Sequence, residues 1–288
     1  MPMIAALLLA LASQDPAPAG TPEPADALAR AVAAQRVGER APAVEHFGLD
    51  LNLRERGETP REVDVTVLFT LTQGGRLQLI LDDSERGGVR VEKGFDGDRY
   101  WLKEQDREPV VLSGREYAQD REAIDETLDL CEELLLLFDL DRLQQQTRDL
   151  EITAGTLVRR DASQPHWILT GAILLHDEPR RFGLWLDQET WLPSRLTLES
   201  PAVEETPLDP PQAPGQEGAA PRKVRQEFDL GAYHDFPLLG SEESQGRLLP
   251  RMVREYRRDE NGARHAVRWL ELHNVQWRLA PRIRRLPG

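Results

Sequence analysis

The sequence predicts an α+β protein, mostly antiparallel β, in which a curved half-barrel sheet carries an N-terminal helix and a central helical lid insertion. Segments that alternate apolar and polar residues recur along the chain and are separated by short turn signals. They lie on both sides of one long, leucine-rich segment with helical periodicity. Alternation with a period of two is typical of strands with one buried and one exposed face, and hairpins of such strands form an antiparallel meander.

The composition limits the classes of function. The chain has 288 residues, of which 40% are hydrophobic and 30% charged, and its formal net charge is -14. This charge argues against a nucleic-acid partner, because binding to phosphates needs a concentrated positive field. Cys131 is the only cysteine, so we expect neither an intrachain disulfide nor a thiolate metal cluster from this chain. Its place in an apolar helical pattern favours a buried small side chain over a nucleophile.

The first residues predict export. An apolar run from Ile4 to Ala12 ends in the small-x-small triplet Ala10-Leu11-Ala12, which is typical of a secretory signal peptide at residues 1–12. The run is shorter than the roughly 20 residues that span a bilayer, and no Lys or Arg precedes it. The alternative is an N-terminal helix packed on the domain. Residues 13–25 predict a disordered spacer and residues 26–288 a single domain. We therefore expect a periplasmic or otherwise exported protein that does not span the membrane.

The first half of the chain predicts a helix followed by a meander. Asp26 is the expected cap of a helix over residues 27–35, and Gly38 is the expected stop. Alternation then predicts a strand over residues 46–54 and a second over residues 61–71, with further strands up to Leu102. The expected turns between these strands are Gly74-Gly75, Gly87-Gly88 and Asp96-Gly97.

A long helix is predicted over about residues 115–146, with a break near Asp139. Its apolar residues recur at spacings of three and four, which gives one buried stripe. The segment from Leu134 to Phe138 is apolar all round and indicates burial on more than one side. A permanent core helix and a movable lid share this pattern, and both interpretations stay open.

The second half of the chain again predicts strands. Four are expected, with a regular spacing of strand and turn, over residues 150–159, 166–175, 181–187 and 192–198. Residues 201–221 are rich in Pro, Gly, Glu and Ala and predict a mobile surface loop. Three more strands are expected over residues 224–230, 248–256 and 266–272. Between them, Tyr233-His234-Asp235-Phe236-Pro237 is interpreted as a polar-aromatic corner that caps a strand, with a polar site at Tyr233-His234-Asp235 as the alternative.

Two short hairpins resemble those of the LolA/LolB-type lipoprotein carriers and related outer-membrane lipoprotein-sorting-like proteins. The segment Phe95-Asp96-Gly97-Asp98-Arg99-Tyr100-Trp101 is similar to a hairpin in the first meander of that family. The segment Leu184-Trp185-Leu186-Asp187, followed by Trp191-Leu192-Pro193, is similar to a later one. The resemblance covers most of the chain in the order of elements. It implies an unclosed, curved antiparallel barrel whose open side is plugged by helices and whose cavity holds acyl chains. The family's lid-holding Arg-Pro has no counterpart near Gly74-Gly75, so no lid-locking residue is carried over.

The resemblance implies a non-enzymatic envelope protein that binds a lipid or lipidated protein, with no cofactor or metal. The residues expected to line its lipid-binding cavity are apolar positions of the strands and the helix, namely Val65, Val67, Phe69, Leu79, Trp101, Leu128, Leu135, Phe138, Leu184 and Leu196. One alternative is a sensor or interaction module with a filled core, which contacts another envelope protein. The other is an exported hydrolase, in which Glu132 or Glu133 would face a strand carboxylate as an acid/base pair. No two of the six histidines have a metal-ligand spacing, so a zinc site is not expected.

Overall fold

The computed structural model describes residues 20–37, 46–55, 61–70, 76–82, 90–159, 162–175, 178–199, 225–237, 246–258 and 263–276. The predicted signal peptide, residues 13–19 of the predicted spacer and the predicted loop at residues 201–221 lie outside the described residues. So do Gly38, Gly74-Gly75 and Gly87-Gly88, the expected helix stop and the first two expected turns.

Three helices lie within the described ranges. Helix α1 is Pro24–Gln35, α2 is Ala118–Phe138 and α3 is Leu140–Gln146, and a 3-10 turn at Arg115–Tyr117 precedes α2. The predicted break in the central helix at Asp139 is confirmed. None of the described helices is long and apolar enough to cross a membrane.

The predicted cap of α1 is wrong. Helix α1 begins inside the predicted spacer, and Asp26 lies in its first turn rather than before it. Glu23 occupies the cap position without a side-chain hydrogen bond. Pro24 occupies the first helical position, where its fixed φ suits the helix and its missing N–H leaves no donor unsatisfied.

Fourteen strands lie within the described residues. They are β1 (Arg36–Val37), β2 (His46–Glu55), β3 (Arg61–Thr70), β4 (Arg76–Asp82), β5 (Arg90–Phe95), β6 (Tyr100–Glu104), β7 (Val110–Val111), β8 (Arg148–Arg159), β9 (Ala162–Leu175), β10 (Glu178–Asp187), β11 (Pro193–Glu199), β12 (Arg225–Pro237), β13 (Gly246–Arg258) and β14 (Arg264–Gln276).

All these strands belong to one antiparallel sheet with the order β7-β6-β5-β4-β3-β2-β14-β13-β12-β11-β10-β9-β8, and β1 pairs with β13. Each half of the chain forms its own series of hairpins, and the pairing of β2 with β14 joins the two series. The sheet is curled into a half-barrel, as the sequence predicts. Strands β7 and β8 are neighbours in the chain but lie at opposite ends of the sheet, so the segment that carries α2 and α3 runs from one edge to the other.

The curled sheet has an apolar inner face and a polar outer face. Alternate residues of the strands, such as Val67 of β3, Leu196 of β11 and Leu270 of β14, belong to one core cluster with apolar residues of all three helices. We call the face that these residues share the inner face and the opposite one the outer face. Because the register is antiparallel with few shifts, the two faces stay separate across the whole strand order.

The segment from Tyr233 to Pro237 does not form the predicted corner. It lies inside β12 and pairs with β13 as far as Pro237 opposite Gly246. The alternation of the sequence is interrupted one residue earlier, because Ala232 has a positive φ of 52°. The hydroxyl of Tyr233 donates a hydrogen bond of 2.5 Å to the carbonyl of Pro193 at the start of β11.

The outer face carries a compact group of paired charges on β11 to β14. Asp229 lies 2.7 Å from Arg195 and 2.8 Å from Arg264, and Glu227 lies 2.5 Å from Arg258 and 2.9 Å from Arg264. Burial alone would raise the pKa of both carboxyls. The hydrogen bonds and positive charges of these arginines outweigh burial and hold both pKa values below their usual range.

We expect the protein to lose stability in acid through Asp229 and Glu227. A carboxyl with a lowered pKa in the folded state stabilises the fold above its unfolded-state pKa, and that contribution disappears as the pH falls through the folded-state pKa. The Tm should therefore fall as the pH drops below about 4.5, the ordinary range of these groups. In an Asp229→Asn/Glu227→Gln variant the Tm should be lower at neutral pH and depend less on pH. The exposed Asp98→Asn serves as control, and an unchanged acid slope in the double variant would contradict the assignment.

Candidate functional site

The predicted cavity-lining residues lie where the helices meet the inner face of the sheet, with the exception of Trp101. Nine of the ten are buried, and Leu128 is half-buried against the core cluster. The register places Trp101 beside Gly94 and Gln78, on the outer face, whereas Leu79 lies on the inner face. Trp101 is therefore not brought together with the other nine residues.

Helix α2 covers the inner face with an apolar surface. Leu134, Leu135, Leu136, Leu137 and Phe138 are all buried, as the apolar run predicts. The residues that follow the break, Leu140 and Leu143 of α3, join the same core cluster. In the described structure the side chains of the helix pair thus occupy the space against the inner face of the sheet.

The junction between α2 and α3 is held by buried polar side chains from distant parts of the chain. We call Gln35, Arg247, Asp139 and Asp141 the junction cluster. The side-chain amide of Gln35 donates to the carbonyl of Leu137 and accepts a hydrogen bond of 3.2 Å from the N–H of Leu140. A break in a helix leaves such backbone groups without helical partners, and Gln35 satisfies one on each side of it.

Arg247 of β13 provides the positive charge of the junction cluster. Its guanidinium is only 2% exposed and lies 3.1 Å from the Asp139 carboxylate and 3.4 Å from that of Asp141. It also donates to Gln35 at 3.3 Å. Arg36, next to the end of α1, pairs with Asp141 from the other side. The cluster therefore fixes α1, the α2–α3 junction and β13 to one another.

A second polar group connects the middle of α2 to the sheet. We call Glu133, Gln226, Glu255 and Arg268 the bridge cluster. The amide nitrogen of Gln226 lies 2.9 Å from a carboxylate oxygen of Glu133 and 3.1 Å from one of Glu255. Arg268 lies 2.9 Å from the other oxygen of Glu255, which is 1% exposed. Glu133 thus faces a strand carboxylate, the arrangement considered for an acid/base pair, but both groups are buried and bonded to the same amide.

The first half of α2 is tied to the sheet by more exposed contacts. The hydroxyl of Tyr100 on β6 donates a hydrogen bond of 2.7 Å to Asp125, and Lys93 on β5 lies 3.6 Å from Asp120. Burial, together with the hydrogen bond to the Asp125 carboxylate and its charge, raises the pKa of Tyr100 to about 12. Polar contacts therefore accompany the apolar surface of the helical segment along its length.

Other chemistry of the described residues is sparse. In the described part of the chain, no three His, Cys, Asp or Glu side chains are placed to hold a metal ion. Cys131 is buried, as the sequence predicts, and burial raises the pKa of its thiol. A raised pKa keeps a thiol protonated and unreactive.

The junction and bridge clusters are absent from the sequence-predicted site. Their strand members are polar residues at inward-facing positions, such as Arg247 and Glu255 of β13, where Leu249 and Val253 also face inward. A charged residue in the apolar register of a strand is a signal that the sequence does contain. Its partner cannot be read from that signal, because Gln35 and Arg247 are separated by 212 positions.

The two hairpins that resemble the LolA/LolB-type family are turns stabilised by aspartates. Asp96 accepts hydrogen bonds from the N–H groups of Asp98 and Arg99, and Gly97 has a φ of 97°. Asp187 accepts hydrogen bonds from the N–H groups of Glu189 and Thr190. Such side-chain bonds to the backbone two or three residues on are the usual device of Asp in turns.

Comparison with known proteins gives structural matches only. No family model matches the chain, and no curated protein matches it. A putative outer membrane lipoprotein-sorting protein domain from Vibrio parahaemolyticus matches at 8% identity, with a TM-score of 0.42, 88% of this chain covered and 92% of the other. A LolA superfamily protein from Nitrosomonas europaea matches at 12% identity, with a TM-score of 0.40, and coverage of 93% and 96%.

A third match is a DUF1329 family protein from Desulfovibrio piger, at 10% identity and a TM-score of 0.45, with 89% and 92% of the two chains covered. The first two matches belong to the group that the two hairpins resemble. The predicted resemblance is confirmed in that respect. With TM-scores below 0.5, these matches carry no conclusion about what the protein binds.

Proposed function

We propose that this is a non-enzymatic protein of the cell envelope that binds an acyl chain, of a lipid or of a lipidated protein, between the α2–α3 segment and the inner face. The observation that supports this most is the placement of the junction and bridge clusters in an interface that is otherwise apolar. Replacing a buried ion pair by apolar side chains is often neutral or stabilising. Stability alone therefore does not account for the clusters. They give the helices one defined closed position, and their charged groups regain water when the helices lift.

Acyl chains suit the surface that lifting would expose. The inner face offers aliphatic and aromatic side chains from strands of both halves of the sheet, and the helices offer a row of leucines. Each buried methylene contributes roughly 0.8 kcal/mol, so a dozen of them contribute on the order of 10 kcal/mol. That gain has to exceed the free energy needed to break the polar clusters and separate the helices from the sheet.

The second candidate is an envelope protein that keeps this fold with a filled core and contacts a partner protein. One observation favours it, since Leu134 to Phe138 are already buried against the sheet. In that case α2 and α3 stay in place and no acyl chain enters.

Titration with a fluorescent fatty acid separates the two candidates. We expect the purified protein to bind dansylundecanoic acid saturably. An added lysophospholipid should displace the bound fatty acid. Hydrogen exchange in the second half of α2 should become faster on binding, because the helix leaves the sheet. A Gln226→Ala variant loses the amide that joins Glu133 to Glu255, which destabilises the closed state. A change of about 1.4 kcal/mol in that equilibrium tightens the apparent affinity about tenfold.

Gln144→Ala is the matched control, because Gln144 is exposed on α3 and its loss should leave the affinity unchanged. Equal affinity of wild-type protein and Gln226→Ala would contradict a lid that opens at the bridge cluster. Absence of saturable binding in both proteins would favour the filled-core candidate.

A further inference from the structure

A depression of about 410 Å³ lies on the outer face, opposite the helices. Its side chains come from three rows across the strands, as the register shows. The middle row holds Thr170, Gly183 and Thr197. One flanking row holds Ile168 and Trp185, and the other holds Ala172, Arg181, Glu199 and Arg225. Asp149 and Glu151 of the edge strand β8 complete the rim. The volume falls within the roughly 300–1,000 Å³ of small-molecule sites.

The depression exists because its floor is made of small residues. Gly183 lies in a regular stretch of β10, and its φ is not among the positive ones, so its backbone does not require glycine. A Cβ at this position would come within 2.7 Å of the Thr197 hydroxyl and 3.9 Å of a Thr170 methyl. Glycine here keeps the floor of the depression open.

The rim carries Asp149 and Glu151 on β8, and a row of Arg181, Glu199 and Arg225 on β10, β11 and β12. Among the described residues, the side chains of Arg181, Asp149 and Glu151 have no hydrogen-bond or ion-pair partner. Arg181 lies on β10 and Glu151 on β8, two strands apart, which separates their backbones by roughly 10 Å at about 4.8 Å per strand. The lining holds two arginines, Arg181 and Arg225, and three carboxylates, which gives it a formal charge of −1. A simple anion is therefore disfavoured.

We propose that this depression is a second binding site, for a small zwitterionic peptide. The ligand's carboxylate pairs with Arg181, its ammonium group pairs with Asp149 and Glu151, and an apolar side chain packs on Ile168 and Trp185. An extended chain spans about 3.3–3.6 Å per residue, so a tripeptide matches the spacing of the two strands that carry Arg181 and Glu151. The proposal concerns the face opposite the acyl site and does not depend on it.

Calorimetric titration with the tripeptide Ala-Phe-Ala and with its N-acetylated, C-amidated form tests this proposal. We expect the free peptide to bind with a Kd of about 1 mM or below, and the blocked form to bind at least tenfold more weakly. Arg181→Gln and Glu151→Gln should each weaken binding of the free peptide about tenfold, since both side chains are exposed and their loss leaves the fold intact. Arg107→Gln, which removes an equal charge from an 80% exposed position elsewhere, is the control.

Gly183→Ala fills the floor of the depression and should also weaken binding of the free peptide. Circular dichroism checks that this variant folds. Three results would each overturn the proposal. The free and the blocked peptide bind equally, Arg181→Gln and Glu151→Gln bind the free peptide as well as the wild type does, or the free peptide does not bind. Binding of inorganic phosphate in place of the peptide would overturn the zwitterion assignment. The same variants should bind the fluorescent fatty acid as the wild type does, so the two proposed sites fail independently.

Discussion

Replacing Arg247 by Met is expected to lower the free energy of unfolding by about 3–5 kcal/mol, the usual cost of leaving one partner of a buried ion pair uncompensated. Methionine retains much of the aliphatic volume and removes all the donors. Asp139 then stays buried without the guanidinium that lies 3.1 Å away, and the side-chain oxygen of Gln35 no longer accepts a hydrogen bond from Arg247. Urea unfolding followed by circular dichroism measures the change.

Two further variants make the Arg247 experiment specific. Arg251→Met removes an arginine from the same strand, but Arg251 is 42% exposed and pairs with Glu271 at the surface. Its loss should cost no more than about 1 kcal/mol. An Arg247→Met/Asp139→Asn protein no longer buries a carboxylate that has lost its guanidinium, so it should recover part of the loss. If the two single arginine variants were equally stable, the junction cluster would not hold the helices.

Truncation of Phe138 to Ala is expected to cost about 3–5 kcal/mol, the range for large aromatic residues in a core. Phe138 is the last residue of α2 and is fully buried in the core cluster between the helix pair and the sheet. The neighbouring break at Asp139 is fixed by the junction cluster, which limits how far the helix end can move to refill the space. The free energy of unfolding in urea is again the measurement.

The Phe138 variant also bears on acyl binding. The space left by the ring adjoins the inner face, so under the acyl proposal Phe138→Ala should bind the fluorescent fatty acid more tightly than the wild type. Val158→Ala is the control for stability, because Val158 is 67% exposed on an edge strand and surface changes cost about 0.5 kcal/mol or less. A loss for Phe138→Ala similar to that of Val158→Ala would show that the helix pair is not packed on the sheet.

Local sequence patterns were sufficient to predict the helices and strands, but not to predict which residues distant in the chain contact one another. The break at Asp139 and the buried run before it follow from apolar periodicity within one segment, and the strands from their alternation. The predicted corner at Tyr233–Pro237 is wrong, because the left-handed Ala232 interrupts that alternation while β12 continues. The face of Trp101 could not be predicted, because it depends on the register of β6 against β5 and not on the residues of β6 alone.

The candidate sites show the same division. The apolar residues of the inner face could be predicted, since each follows the period of its own strand or helix. The junction cluster joins residues of α1, the helix junction and β13, and no spacing in the sequence relates them. The outer depression depends on small residues from three strands lying side by side, which only the register between β9, β10 and β11 establishes.

The position of β7 and β8 at opposite rims of the sheet restricts how the helical segment can move. It is fastened at both ends, by the pairing of Val110–Val111 with β6 and by β8, which begins one residue after Thr147. A segment held at both ends cannot rotate about one end as a hinged lid does. It can leave the sheet only in its middle. Under the acyl proposal, the acyl chain therefore enters from the side, through a slot beneath the middle of the helical segment.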